Sequence, residues 1–163
     1  MFDKYGEFDS AEEINKAAAG QLEQGDVEAI KEIAEENGLD PEDAEDYIDG
    51  IVGELCNPLM AAFGKIKIES EELKPKEIIC DWIDYIRRRC TESEDMAKAV
   101  RKKGKTLEGC IAELLKWSFK NAYSVDSKIV KAAGVSASVK MGIPGMATAY
   151  KLIDKYYLGG DVE

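Results

Sequence analysis

Pro75-Lys76-Glu77-Ile78-Ile79-Cys80-Asp81-Trp82-Ile83-Asp84-Tyr85-Ile86-Arg87-Arg88-Arg89 is the stretch that decides the fold class. Ile78, Ile79, Trp82, Ile83 and Ile86 recur at steps of one, three and four, which gathers them on one face of a helix; a strand would scatter them over both faces. Pro75 suits the first turn of a helix, where its missing N–H costs nothing. Three arginines at the far end lie where positive charge is favoured by the helix dipole. This helix is expected at the centre of a core.

Outward in both directions the pattern stays helical. Leu107, Cys110, Ile111, Leu114, Leu115 and Ser118 form a second stripe behind a capping Thr106. Ser10-Ala11-Glu12-Glu13 is a capping box before a helix from about Ala11 to Ala19. Gly25-Asp26 opens a helix carrying Val27, Ile30, Ile33 and Ala34, stopped at Asn37-Gly38. Asp40-Pro41 and Asn57-Pro58 each combine a side-chain cap with a first-turn proline. Thr91-Glu92-Ser93-Glu94 opens a helix with Met96, Ala97 and Val100 inside and Lys98, Arg101, Lys102 and Lys103 outside. Ser124-Val125-Asp126 starts a helix that ends near Gly134, and Pro144 begins the last, with Met146, Ala149, Tyr150, Ile153 and Tyr157 buried.

Two stretches depart from this pattern. Lys65-Ile66-Lys67-Ile68-Glu69, after a helix closed by Gly64, alternates as a brief strand would, and Val135 to Ile143 reads as a loop or one strand. The expected fold is mainly α, an irregular multi-helix assembly with at most a short strand pair. Residues 1–54 read as an acidic helical region and 55–163 as a helical core with a basic C-terminal half, and the two can form one domain.

The net charge of −11 over 163 residues conceals a gradient. Residues 1–54 sum to −15, residues 55–95 to −2 and residues 96–163 to +6. Such asymmetry points to a charged partner, a basic surface for the front or nucleic acid for the back. Acids that only keep a surface solvated are the plainer reading. Neither a secretory leader nor an apolar run of membrane-spanning length is legible, so the expected location is the cytoplasm.

Chemistry is weakly signalled. The chain has no histidine, the usual general base near neutral pH and the commonest metal ligand. Cys56, Cys80, Cys90 and Cys110 are widely spaced and contain no Cys-x-x-Cys pair, so buried or idle thiols are expected. Gly104-Lys105-Thr106 resembles the end of a phosphate-binding loop, but position 99 is Ala99 where that loop needs glycine. The acidic segment around Gly50 does not match a calcium loop. Asp81 and Asp84, one turn apart, could bind magnesium in a nuclease, though no second cluster supports them. No enzyme activity, cofactor or resident metal is expected.

Two charged segments stand out as binding candidates. Asp40, Glu42, Asp43, Glu45, Asp46 and Asp49 place six carboxylates in ten residues, about one charge per ~2.5 Å of helix, comparable to the phosphate spacing of DNA. Lys98, Arg101, Lys102, Lys103 and Lys105 form a dense basic run that could contact phosphates or lie solvated.

Several segments together resemble type II-A anti-CRISPR proteins, the Cas9 inhibitors of phages and mobile elements of gut Firmicutes. They are Phe8-Asp9-Ser10-Ala11-Glu12-Glu13-Ile14-Asn15, the run from Ala34 to Gly50, Pro58-Leu59-Met60-Ala61-Ala62, Ala99-Val100-Arg101-Lys102-Lys103-Gly104-Lys105, Met141-Gly142-Ile143-Pro144-Gly145 and Tyr156-Tyr157-Leu158-Gly159. They are scattered over nearly the whole chain and none is a catalytic signature. The resemblance implies a small protein in the bacterial host cell that binds guide-loaded Cas9 and stops target DNA from being recognised or cut. It also implies that direct DNA or RNA contact is open to some members. A nucleic-acid-binding accessory protein of a mobile element, using the basic run, is the competing reading.

Overall fold

The computed structural model describes residues 1–160, in which nine helices and one two-stranded sheet are found. The chain divides into two compact units, Met1–Glu108 and Gly109–Glu163. The charge boundary near residue 54 therefore falls inside the first unit, and residues 55–108 fold together with the acidic front.

The first unit is built from α1 (Ala11–Glu23), α2 (Val27–Glu36), α3 (Pro41–Ile48), α4 (Pro58–Leu73), α5 (Ile78–Glu92) and α6 (Glu94–Arg101), and includes the start of α7 (Leu107–Lys120). The caps carry out local instructions. Ser10, Asp26, Asp40, Asn57 and Ser93 each accept a hydrogen bond from a first-turn N–H, satisfying donors that have no partner within the helix. Glu13 reaches back to the N–H of Asp9 at 2.7 Å. Ile14, Ile30, Ile33, Tyr47, Leu55 and Ala61 belong to a single apolar core that joins α1, α2, α3 and α4. Trp82, Ile83 and Ile86 of α5 are buried as the stripe predicts.

The expected strand at residues 65–69 is wrong: α4 runs unbroken through Gly64 to Leu73. Gly64 is not a stop. A Cβ there would lie 2.1 Å from the carbonyl oxygen of Asn37, and one on Gly38, which already has φ +68°, would lie 2.4 Å from the carbonyl oxygen of Gly64. The missing side chains let the turn after α2 press against α4 backbone to backbone. The alternation of residues 65–69 then resolves differently: Ala61, Lys65 and Glu69 follow one another at i, i+4 and i+8, and all three are buried.

The second unit holds the rest of α7, then β1 (Tyr123–Ser124), α8 (Ser127–Ala132), β2 (Lys140–Met141) and α9 (Met146–Leu158). The strands pair antiparallel with Tyr123 opposite Met141 and Ser124 opposite Lys140. The stretch 135–143 thus contributes one short strand within loop. Asp126 caps α8 by accepting from the N–H of Lys128 at 2.8 Å. The last helix begins at Met146 behind Gly145, two residues later than the proline suggests, and Ala149, Ile153 and Tyr157 are buried at steps of four. Met146, expected buried, is exposed and Tyr150 only half-buried, and Leu115 of the second stripe is exposed.

Candidate partner-binding surfaces

The acidic segment folds as one piece. Asp40 is the N-cap of α3, its Oδ1 accepting from the N–H of Glu42 at 3.1 Å, and Asp49 is the C-cap, its N–H donating to the carbonyl of Glu45 at 2.9 Å. Ala44 and Tyr47 are buried, which anchors the helix and turns its remaining face outward. Asp40, Glu42, Glu45 and Asp49 are exposed, while Asp43 and Asp46 are half-buried. No lysine or arginine among the described residues forms an ion pair with any of the six. Beside α3 runs a groove of about 510 Å³ whose walls include Lys31, Glu45, Lys67 and Glu71. Past its end, Ile51 and Val52 stand exposed, their N–H groups held by the carbonyl of Asp46 at 2.9 and 3.4 Å.

The basic run does not survive as a single face. Lys98, Lys102 and Lys103 are exposed and Lys105 half-buried, but Arg101, expected outside, is 1% exposed. It lies four residues after the buried Ala97 and therefore on the same side of α6. Its Nε donates to the carbonyl of Phe8 at 3.1 Å, its Nη2 donates to Oδ1 of Asn37 at 2.6 Å, and the Phe2 ring lies 5.3 Å from the guanidinium carbon. Arg101 is part of the core and cannot reach a phosphate. Lys98 is engaged with Glu94 along α6, a surface pair of small energetic weight. Lys103 donates its N–H to Asp9 at 2.9 Å.

Arg101 belongs to a buried polar layer. Lys65, with no exposed side-chain surface, donates to Oε1 of Glu7 and to the carbonyl of Lys102, both at 2.7 Å. Glu69 accepts from the N–H of Leu107 at 3.0 Å, so a carboxylate of α4 satisfies the first donor of α7. Burial, opposed by that hydrogen bond and by Lys65, pushes the Glu69 carboxyl above the usual range. Asn37 donates from Nδ2 to the carbonyl of Ile33 at 2.8 Å, so both ends of its amide are used. These groups tie the N-terminal segment, the end of α2, α4 and the end of α6 into one unit. Sequence patterning missed Lys65, Glu69 and Asn37; the i, i+4 row from Ala61 was the available signal.

The thiols are placed as expected. Cys56, Cys90 and Cys110 are buried and Cys80 half-buried, all free. Burial pushes the Cys56 and Cys90 thiols up to about 12, so both stay protonated and unreactive near neutral pH. Among the described residues no group of three or more Cys, Asp or Glu is close enough to hold a metal ion. Asp81 and Asp84 are exposed, and Asp84 is paired with Arg87 at 3.1 Å. Gly104, with φ +74°, follows the end of α6, where the phosphate-loop motif demands a preceding strand. No helix among the described residues is long and apolar enough to cross a membrane.

No family model matches the chain, and no curated protein or solved structure matches it either.

Proposed function

We propose that this protein is an anti-CRISPR inhibitor that binds guide-loaded Cas9 and blocks target DNA recognition or cleavage, using α3 as an electrostatic imitation of the DNA backbone. The observation that carries this reading is the outward carboxylate face of α3, anchored by Ala44 and Tyr47, whose six acids form no ion pair among the described residues. A carboxylate row already paired with lysines would have little charge left for a partner. Cas9 holds its nucleic acids in a positively charged channel and reads its short recognition sequence with arginines. Unpaired carboxylates at DNA-like spacing are attracted to such a surface and compete with the duplex for it. The scattered resemblance to Cas9 inhibitors supports the choice of partner. On this reading the protein acts by occupying a surface and performs no bond chemistry.

A second reading keeps a specific observation behind it. Between Leu114 and Ile153 the only acid is Asp126, against six lysines, and the Asp126 carboxylate caps α8. That balance suits direct contact with DNA or RNA, in the inhibitor itself or in a nucleic-acid-binding accessory protein.

Plasmid cleavage by guide-loaded Cas9, with the protein added before or after target DNA, tests the proposal. Inhibition confined to addition before DNA supports a block on DNA engagement, and inhibition in either order a block on cleavage. Glu42, Glu45 and Asp49 are the residues to reverse to lysine, since they are exposed and their side chains do not cap α3. Weakening of inhibition by about tenfold or more supports mimicry, and unchanged inhibition rejects it. Absence of inhibition across several Cas9 orthologues, with salt-sensitive DNA binding intact, overturns the inhibitor reading in favour of the accessory protein.

A further inference from the structure

We infer that the second unit carries a pocket for a backbone phosphate of nucleic acid, built between α8 and the loop that returns from it. The inference rests on the second reading above, direct contact with DNA or RNA, and gives that contact a place.

The pocket holds about 500 Å³ and is lined by α8, by residues 134–139 and, at its base, by Ser124 and Val125. From α8 the lining takes Ser127, Val130 and Lys131, which recur at i, i+3 and i+4 and so share one helical face. The helix then ends in a Schellman turn. Gly134, at φ +68°, donates its N–H to the carbonyl of Lys131 at 3.0 Å, and the N–H of Val135 donates to the carbonyl of Val130 at 3.2 Å. That turn sends residues 135–139 back past the helix. The N–H of Val125 closes the excursion by donating to the carbonyl of Val139 at 2.9 Å, one step beyond the paired Ser124 and Lys140. No residue of α8 is buried, so its inner face borders a hollow and not a core.

Donors gather here with nothing on the protein to receive them. Ser124, Ser127, Ser136 and Ser138 all line the pocket, and none of their hydroxyls makes a hydrogen bond among the described residues. The N–H groups of Ser136, Ala137 and Ser138 likewise donate to no protein group among the described residues. Lys131 has no ion pair among them, and no carboxylate lines the pocket. Asp126, the one acid between Ala122 and Gly145, has its Oδ1 occupied by the N–H of Lys128 at 2.8 Å.

Hydroxyls, peptide N–H groups and a single ammonium are the groups that proteins turn toward the phosphates of DNA and RNA. Lys131 is the only charged residue in the lining, which matches the one negative charge of a phosphodiester. A phosphomonoester, with about 1.5 to 2 charges, would be under-compensated. The hollow is also several times larger than a phosphate group, and Val125, Val130 and Val135 in its walls suit the sugars that flank a phosphate within a strand.

Fluorescence anisotropy of the full chain with a labelled oligothymidylate of about 16 nucleotides, and with a duplex of the same length, over a salt series, reads the binding. Lys131→Ala should weaken it by about tenfold, as loss of a charged hydrogen bond does. It should also lower the slope of log K against log salt by about 0.7 to 0.9, the value of one phosphate contact. Ser136→Ala with Ser138→Ala should weaken binding and leave that slope unchanged. Lys128→Ala is the control, exposed on the same helix but outside the lining; a loss equal to that of Lys131→Ala would mean a diffuse cationic surface and would overturn the pocket. Amide NMR of the isotope-labelled chain locates the contact, with the signals of Ser136, Ala137 and Ser138 expected to move on adding either oligonucleotide. Binding that leaves all three unmoved overturns the site and spares the direct-contact reading, whereas no binding to either oligonucleotide overturns both. Equal movement with inorganic phosphate at the same concentration would make a free ion the ligand and overturn the strand.

Discussion

Glu7 and Lys65 stand 58 positions apart in the chain, yet Oε1 of the first accepts from Nζ of the second at 2.7 Å, and the lysine has no exposed side-chain surface. Glu7 supplies the carboxylate that allows an ammonium group to be carried inside the first unit. Its replacement by alanine leaves Lys65 with the carbonyl of Lys102 and little else, and is expected to cost roughly 3 kcal/mol. Glu7→Gln together with Lys65→Met removes both charges and should cost less than Glu7→Ala alone. Urea denaturation of the three proteins measures the difference, and equal costs would show that the pair is not coupled.

Glu69 makes stability depend on pH in an unusual direction. Its carboxyl is held above the ordinary glutamate range by burial, so the folded state keeps the proton to a higher pH than the unfolded chain does. The contribution of this group is full below the unfolded value of about 4.5 and is lost as pH rises through the folded one. Glu69→Gln keeps an acceptor for the N–H of Leu107 and removes the charge. Melting curves between pH 5 and 8 should show the variant above the parent at the upper end and the gap closing toward the lower; a constant gap would exclude Glu69 as its source.

Gly64→Ala tests the close contact between the turn after α2 and α4. A methyl group 2.1 Å from the Asn37 carbonyl forces backbone apart, and overpacking of this kind costs about 1–3 kcal/mol or more. Gly20, with nothing near the place of its Cβ, is the control: Gly20→Ala in α1 is expected to stabilise by about 0.5–1 kcal/mol through backbone entropy. Thermal melts of the two proteins should move in opposite directions.

Alanine substitutions in the basic run should separate into two groups. Lys98, Lys102 and Lys103 are exposed and each change is expected to stay within about 0.5 kcal/mol of the parent. Arg101→Ala removes hydrogen bonds to Phe8 and Asn37 and the packing of Phe2, at a cost of about 3 kcal/mol or more. Melting temperatures measured beside any binding titration would assign an Arg101 defect to the fold, and an unshifted melting temperature would return Arg101 to the binding surface.

Alkylation by iodoacetamide under native conditions should label Cys80 first, since it is the half-buried one. Cys56 and Cys90, buried and held protonated, should react only after denaturant is added. Mass spectrometry of the time course decides the order, and early labelling of Cys56 would mean that the core around α1 to α4 opens readily.

How much of this could be read beforehand depends on what decides each feature. Helices whose caps are local, such as α2 and α3, were legible, because an aspartate before a proline or apolar row acts within one turn; α5 was legible from its stripe alone, since it starts at Ile78 and not in the turn after Pro75, and Glu77 before it makes no capping hydrogen bond. The mainly α fold followed from the same signals; a short strand pair was allowed for, but Ser124, read as the start of a helix, lies in β1. The stretch 65–69 was not legible, since Gly64 punctuates a helix in isolation and its actual role depends on Asn37 approaching from another part of the chain. Arg101 misled for a related reason: it sits among lysines in a run that looks solvated, and only the row from Ala97 places it inward. The exposure of Leu115 and Met146 was hidden too, because a helical stripe says which residues share a face and not whether anything covers them. The six carboxylates could be placed on one short helix and its two caps from sequence; that none of them forms an ion pair among the described residues required the fold.

The contact between Gly38 and Gly64 also carries historical information. Neither position tolerates a side chain while the other backbone is where it is, so drift at one is barred unless the whole turn after α2 moves. Surface acids and lysines are under no such bar and can be exchanged freely over generations. A distant relative could thus have lost every recognisable charge cluster and still retain two glycines at this separation, the first preceded by an asparagine and the second inside a helix that begins at Asn-Pro. That small backbone signature would trace descent where overall likeness has faded.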